Sequence, residues 1–226
     1  MRKTGLILGI CLALVVAFWG CSGETQLKIE GGMGVSATVA LTDGHIESLV
    51  NSMEIMAMTE DVKSGDWEGM LGILKKFKRD QVPAAVWFVL PDGSYSTVTK
   101  GKIDKNIKDR AYFPELMAGN TVIGDLVISR STGKKSMIAA VPVKDEGKVI
   151  GALGASVFLD ELSEIIVKEL QLPDGMVFYA VDEQGQIALH SNTKLILDES
   201  ANLCCEKAAS KISPLTGWHF TLGSKD

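Results

Sequence analysis

A short segment near the middle of the chain combines an arginine with two aromatic rings. Arg110, Tyr112 and Phe113 stand at spacing i, i+2, i+3, directly before Pro114. A guanidinium group can donate two parallel hydrogen bonds to a carboxylate, and the rings can supply apolar walls or a face for a cation. The segment therefore indicates a contact surface for a small organic molecule. Pairing of Arg110 with Asp109 at the surface, and burial of both rings in a core, are the alternatives.

A second polar cluster follows further along the chain. Ser129, Arg130, Ser131 and Thr132 combine hydroxyl groups with one positive charge, a set that could hold an anion. A polar strand end followed by a turn explains the same residues equally well. The cluster is thus a candidate ligand-binding group whose role depends on where the fold places it.

Residues of the kinds that carry out catalysis are sparse. The three histidines are scattered, and the chain lacks a Gly-x-Ser-x-Gly elbow, a phosphate-binding loop and metal ligands at a recognisable spacing. Carboxylate pairs such as Asp160-Glu161 are common in any acidic protein. We therefore expect a binding protein with no enzyme activity, no cofactor and no metal site.

The N-terminal residues indicate export and lipid attachment. Two basic residues precede an acid-free apolar run of 15 residues, 5–19, which is shorter than the ~20 residues needed to cross a bilayer. The run leads to Cys21, and residues 18–21 resemble the lipobox of bacterial lipoproteins, with Phe18 where that family usually has leucine. The resemblance implies cleavage before Cys21, lipidation of Cys21, and a domain held outside the cytoplasm, in the periplasm or on the cell surface. A permanent membrane helix is the alternative.

The composition is that of an acidic globular protein. The net charge is −5 and 46% of the residues are hydrophobic, which excludes a disordered chain and is a poor match for nucleic acid. Cys204 and Cys205 are adjacent, and the sequence leaves open whether they pair with each other, crosslink or stay reduced. We divide the chain into a signal peptide (1–20), a flexible tether (21–40), a ligand-binding domain (41–172) and an abbreviated second unit (173–226).

Hydrophobic periodicity predicts the helices that frame the candidate residues. Helical spacing runs from His45 to Lys63, with Asp43 as its N-cap, and a second helix begins after the cap Asp66 and ends near Asp80. Shorter helices are predicted over 109–118 and 159–170.

Strand-like patterns alternate with these helices. The five predicted strands cover 85–90, 95–99, 122–131, 135–143 and 149–158, and the first two form a hairpin around an Asp-Gly turn. Trp87 and Phe88 alternate within the first strand, so one belongs to the core and the other can face the site, as can Tyr95 on the return strand. The elements predict an α+β fold: a five-stranded antiparallel sheet with a long N-terminal helix and flanking helices.

The C-terminal part repeats the hairpin on a smaller scale. Strands are predicted over 176–181, 186–190 and 217–222, and residues 178–185 form a faint internal repeat of 87–93. We therefore predict an abbreviated second α/β unit that packs on the first.

An ordered set of motifs runs through the central region, at 109–113, Gly119, 129–134, 140–143, Gly147 and 149–154. This set resembles the extracellular Cache sensor domains, which are PAS-like ligand-binding modules of bacterial chemoreceptors and sensor kinases. The resemblance covers about residues 40–170, and residues 174–222 are similar to a shortened membrane-proximal Cache unit. It implies a pocket for amino acids, amines or organic acids between the sheet and the segment after the first hairpin.

One departure from the family pattern bears on the ligand. Family members that bind amino acids have a tyrosine, a tryptophan and an aspartate where this chain has Ile107, Tyr112 and Ser156. Loss of the carboxylate at Ser156 removes the partner for a buried ammonium group. We therefore expect a small polar or anionic ligand, of the organic acid or amine type, with Ser156 facing it.

Signalling from such a domain requires a partner. We see no transmitter segment in the sequence up to Asp226, so we expect that any signal passes to a partner, such as a membrane signalling protein, or stops at ligand capture. Met53, Met56 and Met58 are compatible with a homodimer interface and also with ordinary core packing. A structural or adaptor lipoprotein of the cell envelope without a ligand is the rival function. A closed cavity of a few hundred cubic ångströms beneath Arg110 would favour the sensor, and a filled interior would favour the adaptor.

Overall fold

The computed structural model describes the backbone of residues 23–203 and 205–224, and the side chains from residue 31 onward. The predicted signal peptide, the lipidation candidate Cys21 and Cys204 lie outside the described residues. The helices are α1 (Gly23–Ala57), α2 (Glu60–Lys63), α3 (Trp67–Asp80), α4 (Phe113–Met117) and α5 (Leu159–Leu170). The strands are β1 (Ala84–Val89), β2 (Ser94–Thr97), β3 (Gly101–Asn106), β4 (Val122–Ile128), β5 (Lys135–Asp145), β6 (Lys148–Phe158), β7 (Met176–Val181), β8 (Ile187–His190), β9 (Glu206–Ile212) and β10 (His219–Ser224).

The first sheet is antiparallel, as the hydrophobic pattern predicted, but it has six strands rather than five. Its order is β3-β2-β1-β6-β5-β4. The additional strand is β3, an edge strand in which Lys102, Asp104 and Lys105 interrupt any apolar alternation. It forms because its backbone pairs with β2, and hydrophobic patterning does not detect such a strand.

The second unit is larger than the abbreviated one that was predicted. Its sheet has four strands in the order β8-β7-β10-β9, and β9 was not among the predicted strands. Every β9 residue except Ala209 is exposed, so this strand also lacks an apolar face in the sequence. Both sheets thus end in polar edge strands that only backbone pairing defines.

The first helix corrects the predicted tether. Residues 23–40 are helical and continue into the helix that was expected to begin at His45. Val35 and Val39 are buried, and a Cβ on Gly34 would lie 2.5 Å from Leu222 Cδ2. The lack of a side chain at Gly34 thus lets α1 pack closely against the second sheet.

Asp43 is likewise not an N-cap. It lies inside α1, where its carboxylate accepts a 2.6 Å hydrogen bond from the Ser213 hydroxyl in the second unit. Burial raises the pKa of Asp43 above its ordinary value. Asp66 does cap α3, since its side chain accepts from the backbone N–H groups of Glu68 and Gly69. None of the helices in the described part of the chain combines the length and the apolar character needed to span a bilayer.

The first sheet separates two apolar clusters. The larger lies on the helix side and joins residues of both units, from Ile46 and Leu153 in the first to Phe178 and Trp218 in the second. The smaller lies on the opposite face, between the sheet and the segment around α4, and contains Trp87, Tyr112 and Leu116. The candidate site therefore belongs to the smaller cluster, away from the helices.

Candidate functional site

Strand alternation decides which ring of the first hairpin faces the site. Trp87 pairs with Gly154 across β1 and β6, and its indole fills the space that a Cβ on Gly154 would occupy. Phe88 points to the other face, where its ring lies over Gly151 in the larger cluster. Trp87 thus forms the floor of the site, and Phe88 is a core residue rather than the ligand contact that was predicted.

The segment over this floor is fastened to the turn of the first hairpin. The Ile107 N–H donates to Gly93 O at 3.0 Å, and the Asn106 amide donates to Asp92 O at 2.9 Å. Gly93 has φ +85°, and a Cβ there would lie 2.8 Å from the Lys108 nitrogen, so this turn requires glycine. The Asp-Gly turn therefore both closes the hairpin and places the arginine-aromatic segment.

A single pocket lies over the Trp87 ring, and eight of the ten predicted ligand-binding residues line it. The void inside it is only about 20 Å³, which is room for roughly one water molecule. Phe113 is not among the lining residues, because its buried ring packs in the smaller cluster with Leu116. The lining consists of Trp87, Tyr95, Ile107, Arg110, Tyr112, Val127, Ser129, Arg130, Ser131, Ile138 and Ser156.

Several hydroxyl groups and the Trp87 indole are hydrogen-bonded to one another inside the pocket. Trp87 Nε1 donates to Ser156 Oγ at 3.1 Å, and the Ser129 and Ser131 hydroxyl oxygens lie 3.3 Å apart. The Tyr95 hydroxyl is hydrogen-bonded to Ser131. A ligand that enters must therefore replace contacts that already exist within the protein.

Burial and two nearby guanidinium groups set the electrostatics of the tyrosines. Burial raises the pKa of Tyr112 to about 12, although Arg110 and Arg130 act in the opposite direction, and burial also raises the pKa of Tyr95. Both phenols therefore stay protonated and can donate a hydrogen bond at neutral pH. No aspartate or glutamate is among the residues that line the pocket, so its charged groups in the described structure are the two guanidinium groups.

Polar contacts close the mouth of the pocket. Arg130 donates to both carboxylate oxygens of Asp109, at 2.6 and 2.7 Å, and Arg110 Nη2 donates to Ile128 O at 2.8 Å. These bonds join the 106–110 segment to the β4–β5 turn. Further bonds of the same kind link Lys100 with Ser131 O, Lys105 with Arg130 O, and Arg130 with Asn106 O. Arg110 thus does not pair with Asp109, and Arg130 is the arginine that does.

Acidification is expected to open this mouth. The hydrogen bonds from Arg130 lower the pKa of Asp109 to about 2, from an ordinary 3.8. Because the pKa in the folded state is the lower one, the pair contributes fully above the ordinary value and is lost as the pH falls through about 2. Carboxyl NMR titration should give a midpoint near 2 for Asp109, and Arg130→Gln should move it back towards 3.8.

Asp92 provides the control for that titration. Its pKa is lowered by the Ser94 hydroxyl and backbone, and Arg130 plays no part in this shift. Its midpoint should not respond to Arg130→Gln. An Asp109 midpoint that also stays unchanged in the variant would mean that the ion pair does not form in solution.

Removal of the Ser156 hydroxyl is expected to destabilise the fold by about 1–2 kcal/mol, because the Trp87 N–H would be left buried without its acceptor. Urea unfolding of Ser156→Ala measures this cost. In a Trp87→Phe background the same substitution should cost much less, since the donor is absent. Equal costs in the two backgrounds would show that the hydrogen bond is not what Ser156 contributes.

Three lining residues were not predicted from the sequence. Ile138 lies on β5, where alternation places it on the same face as Ala140, so the strand pattern could have identified it. Ile107 precedes Arg110 by three residues and was noted only as a departure from the family pattern. Val127 lies on β4, where apolar and polar residues do not clearly alternate. Nothing in the sequence therefore indicates that Val127 lines the pocket.

Comparison with solved structures identifies the fold. The sensory domain of the Campylobacter jejuni chemoreceptor Tlp3 with isoleucine bound superposes with a TM-score of 0.64 at 14% identity, covering 92% of this chain and 98% of that one. The sensor domain of the Vibrio cholerae histidine kinase DctB gives 0.67 at 10% identity, covering 89% and 98%. The ligand-binding domain of the Pseudomonas aeruginosa chemoreceptor PctC in complex with GABA gives 0.63 at 16% identity, covering 89% and 99%.

Comparison of sequences is less extensive. No protein-family model matches the chain. A methyl-accepting chemotaxis protein, PscA of Pseudomonas syringae, is 34% identical over 80 residues, and this match spans 35% of the chain but only 13% of that protein. Ribosomal protein bL9 of Vibrio vulnificus is 23% identical over 108 residues, 46% of this chain and 72% of that one, although the net charge of −5 is a poor match for RNA. The chain therefore has the Cache-like fold of the sensory domains of chemoreceptors and histidine kinases.

Proposed function

We propose that the chain is an extracytoplasmic sensor domain that binds a small organic acid between Trp87 and the 107–112 segment, without enzymatic activity of its own. The observation that carries this proposal is the composition of one pocket: two guanidinium groups, serine and tyrosine hydroxyls, and no carboxylate among the lining residues. Such a set stabilises a buried negative charge and leaves a buried ammonium group unpaired.

The ligands of two similar domains contain both kinds of charged group, a carboxylate and an ammonium. Isoleucine is bound to Tlp3 and GABA to PctC, and both molecules carry an ammonium group as well as a carboxylate. In this chain Ser156 occupies the position that the family resemblance assigns to an aspartate, and its hydroxyl accepts from Trp87. We therefore expect organic acids to bind more tightly than the corresponding amino acids or amines.

Binding requires the pocket to open. A void of about 20 Å³ is too small for any organic acid, so the described structure is a closed state. The ligand would bind an open state in which the bonds between the 106–110 segment and the β4–β5 turn are released, and would shift the population towards that state. The carboxylate of the ligand would then accept hydrogen bonds from Arg130 in place of Asp109, or from Arg110 in place of Ile128 O.

The small void favours a second function, because the space beneath Arg110 in the described structure is filled and is not the cavity of a few hundred cubic ångströms expected of a sensor. A filled interior is what an adaptor lipoprotein of the cell envelope, which has no need of a ligand, would have. In either case we propose that Cys21 carries the lipid anchor and that a membrane protein is the partner. Met53 and Met56 are buried in the core, whereas Met58 is 71% exposed, so of the three methionines only Met58 is available for a homodimer interface.

A thermal-shift panel of organic acids, amino acids and amines distinguishes the two functions. A ligand at 100 times its Kd stabilises the folded state by about 2.7 kcal/mol, which for a chain of this size is a rise in Tm of roughly 5–10 °C. Arg110→Ala should abolish the rise. Arg79→Ala is the matched control, because Arg79 lies at the exposed end of α3 and pairs with Asp80. A panel without any response in the unaltered protein would overturn the sensor and support the adaptor.

A further inference from the structure

A larger space than the pocket lies outside it, between residues of the two sheets. This inter-sheet cleft is bounded by Arg110, residues 126–128, residues 184–187 and residues 197–203, and has a volume of about 760 Å³. A neighbouring cavity of about 330 Å³ shares Leu126, Gln184 and Gln186 with it. The two spaces therefore lie side by side along β4, and together they are called the groove.

One wall of the groove is an open sheet edge. β4 is the outermost strand of the first sheet, and the Ser129 N–H donates to Lys134 O in the pair that continues its ladder with β5. Antiparallel pairing alternates, so the backbone groups of residues 126 and 128 point away from β5 and into the cleft. The bond from Arg110 to Ile128 O agrees with this direction.

The two edges of this sheet differ in character. The β3 edge carries Lys102, Asp104 and Lys105, charges of the kind that prevent pairing with another chain. The β4 edge has the sequence Val-Ile-Gly-Asp-Leu-Val-Ile, in which Asp125 is the single charged residue, and Ile128 is 50% exposed. The β4 edge is thus the one that can accept an added strand.

The charges of the lining residues indicate which kind of molecule would bind in the groove. Five carboxylates line the two connected spaces and Arg110 is the single cation among the lining residues, so a basic occupant is favoured. Burial raises the pKa of Asp125, and a cation beside it would relieve that cost. The carboxylates belong to Asp125, Asp182, Glu183, Asp198 and Glu199.

We propose that the inter-sheet cleft binds a short extended peptide segment with basic side chains, which adds a seventh strand to the first sheet beside β4. Main-chain hydrogen bonds to residues 126 and 128 supply the pairing, and the carboxylates of the groove select lysine or arginine. Arg110 has to release Ile128 O for the added strand to pair along its full length. This groove lies outside the small-molecule pocket but shares Arg110 and Val127 with it, so Arg110 takes part in both sites.

The test uses the full chain and a hexapeptide of alternating valine and lysine with acetylated and amidated ends. NMR titration should shift the backbone amide signals of residues 126–128, and replacement of a central valine by proline should weaken binding roughly tenfold, since it removes a main-chain donor. Glu183→Gln combined with Glu199→Gln should also weaken binding. Asp104→Asn, a charge change on the opposite edge, should not.

A further variant and the ends of the peptide provide additional tests of strand addition. Leu126→Lys leaves the backbone of β4 intact but places a cation in the cleft, and should reduce affinity for the peptide without unfolding the sheet. Equal affinity for capped and free-ended peptides would assign the site to an internal segment of a longer chain, and a tenfold gain from free ends would assign it to free peptides. Unshifted signals for residues 126–128, or a proline-containing peptide that binds equally well, would overturn strand addition.

Discussion

Trp218→Ala is expected to destabilise both sheets together, by about 3–5 kcal/mol. The Trp218 side chain is 1% exposed and belongs to the apolar cluster that joins the two units through Phe178, Leu153 and the first helix. Stabilities of single domains are about 5–15 kcal/mol, so this loss is a large fraction of the total. Guanidinium unfolding followed by circular dichroism and by the remaining described tryptophans, Trp67 and Trp87, measures it.

Ile212→Ala is the matched control for this substitution. Ile212 is an apolar residue of the same sheet but is 55% exposed, and its truncation should change the free energy of unfolding by no more than about 0.5 kcal/mol. The Trp218 variant should unfold in a single transition. A variant in which Trp87 keeps the wild-type midpoint while the second sheet is lost would show that the units do not share one core.

Gly154→Val should cost about 3 kcal/mol, the upper end of the usual range for overpacking, and should also abolish ligand binding. A Cβ on Gly154 would lie 2.6 Å from Trp87 Cε2, and β6 is held on both sides by β1 and β5, so the strand cannot move away. The indole must leave its position and take the floor of the pocket with it. Urea unfolding and the thermal-shift response measure the two effects.

Two further variants show whether crowding against Trp87 causes the loss of stability in Gly154→Val. Trp87→Phe should recover part of the stability that Gly154→Val loses, because the smaller ring leaves room for the added side chain. Gly72→Ala, on α3 where nothing lies within 4 Å of the added Cβ, should instead stabilise the protein by about 0.5–1 kcal/mol. A Gly154→Val protein with normal stability and an unchanged Trp87 emission spectrum would contradict the packing described for the pocket.

Much of the site could be predicted because strands and turns have local signatures. The alternation of Trp87 and Phe88 placed one ring on each face of β1, and the Asp-Gly turn fixed the hairpin that holds the arginine-aromatic segment. The serine-arginine cluster at 129–131 was a candidate ligand-binding group, and in the structure it lines the same pocket as Arg110 and Tyr112. Which arginine pairs with Asp109 depends on the path of the β4–β5 turn, and no local pattern reveals it.

The errors share a physical cause. The segment 21–40 was predicted to be a flexible tether, but in the fold Gly31 and Gly34 let α1 approach the second sheet. The edge strands β3 and β9 are polar and exist because a neighbouring strand pairs with them. The small volume of the pocket follows from side-chain packing across the sheet. Each of these features depends on contacts between distant residues, to which local patterns are blind.

The division of the apolar residues by the first sheet has a thermodynamic consequence. The cluster behind Trp87 contains far fewer residues than the one that joins the units, and β1, β5 and β6 stand between them. A subglobal opening of the segment that carries α4 therefore exposes a limited apolar area and requires much less free energy than global unfolding. The protein can fluctuate at its binding face while its frame stays protected from exchange with solvent.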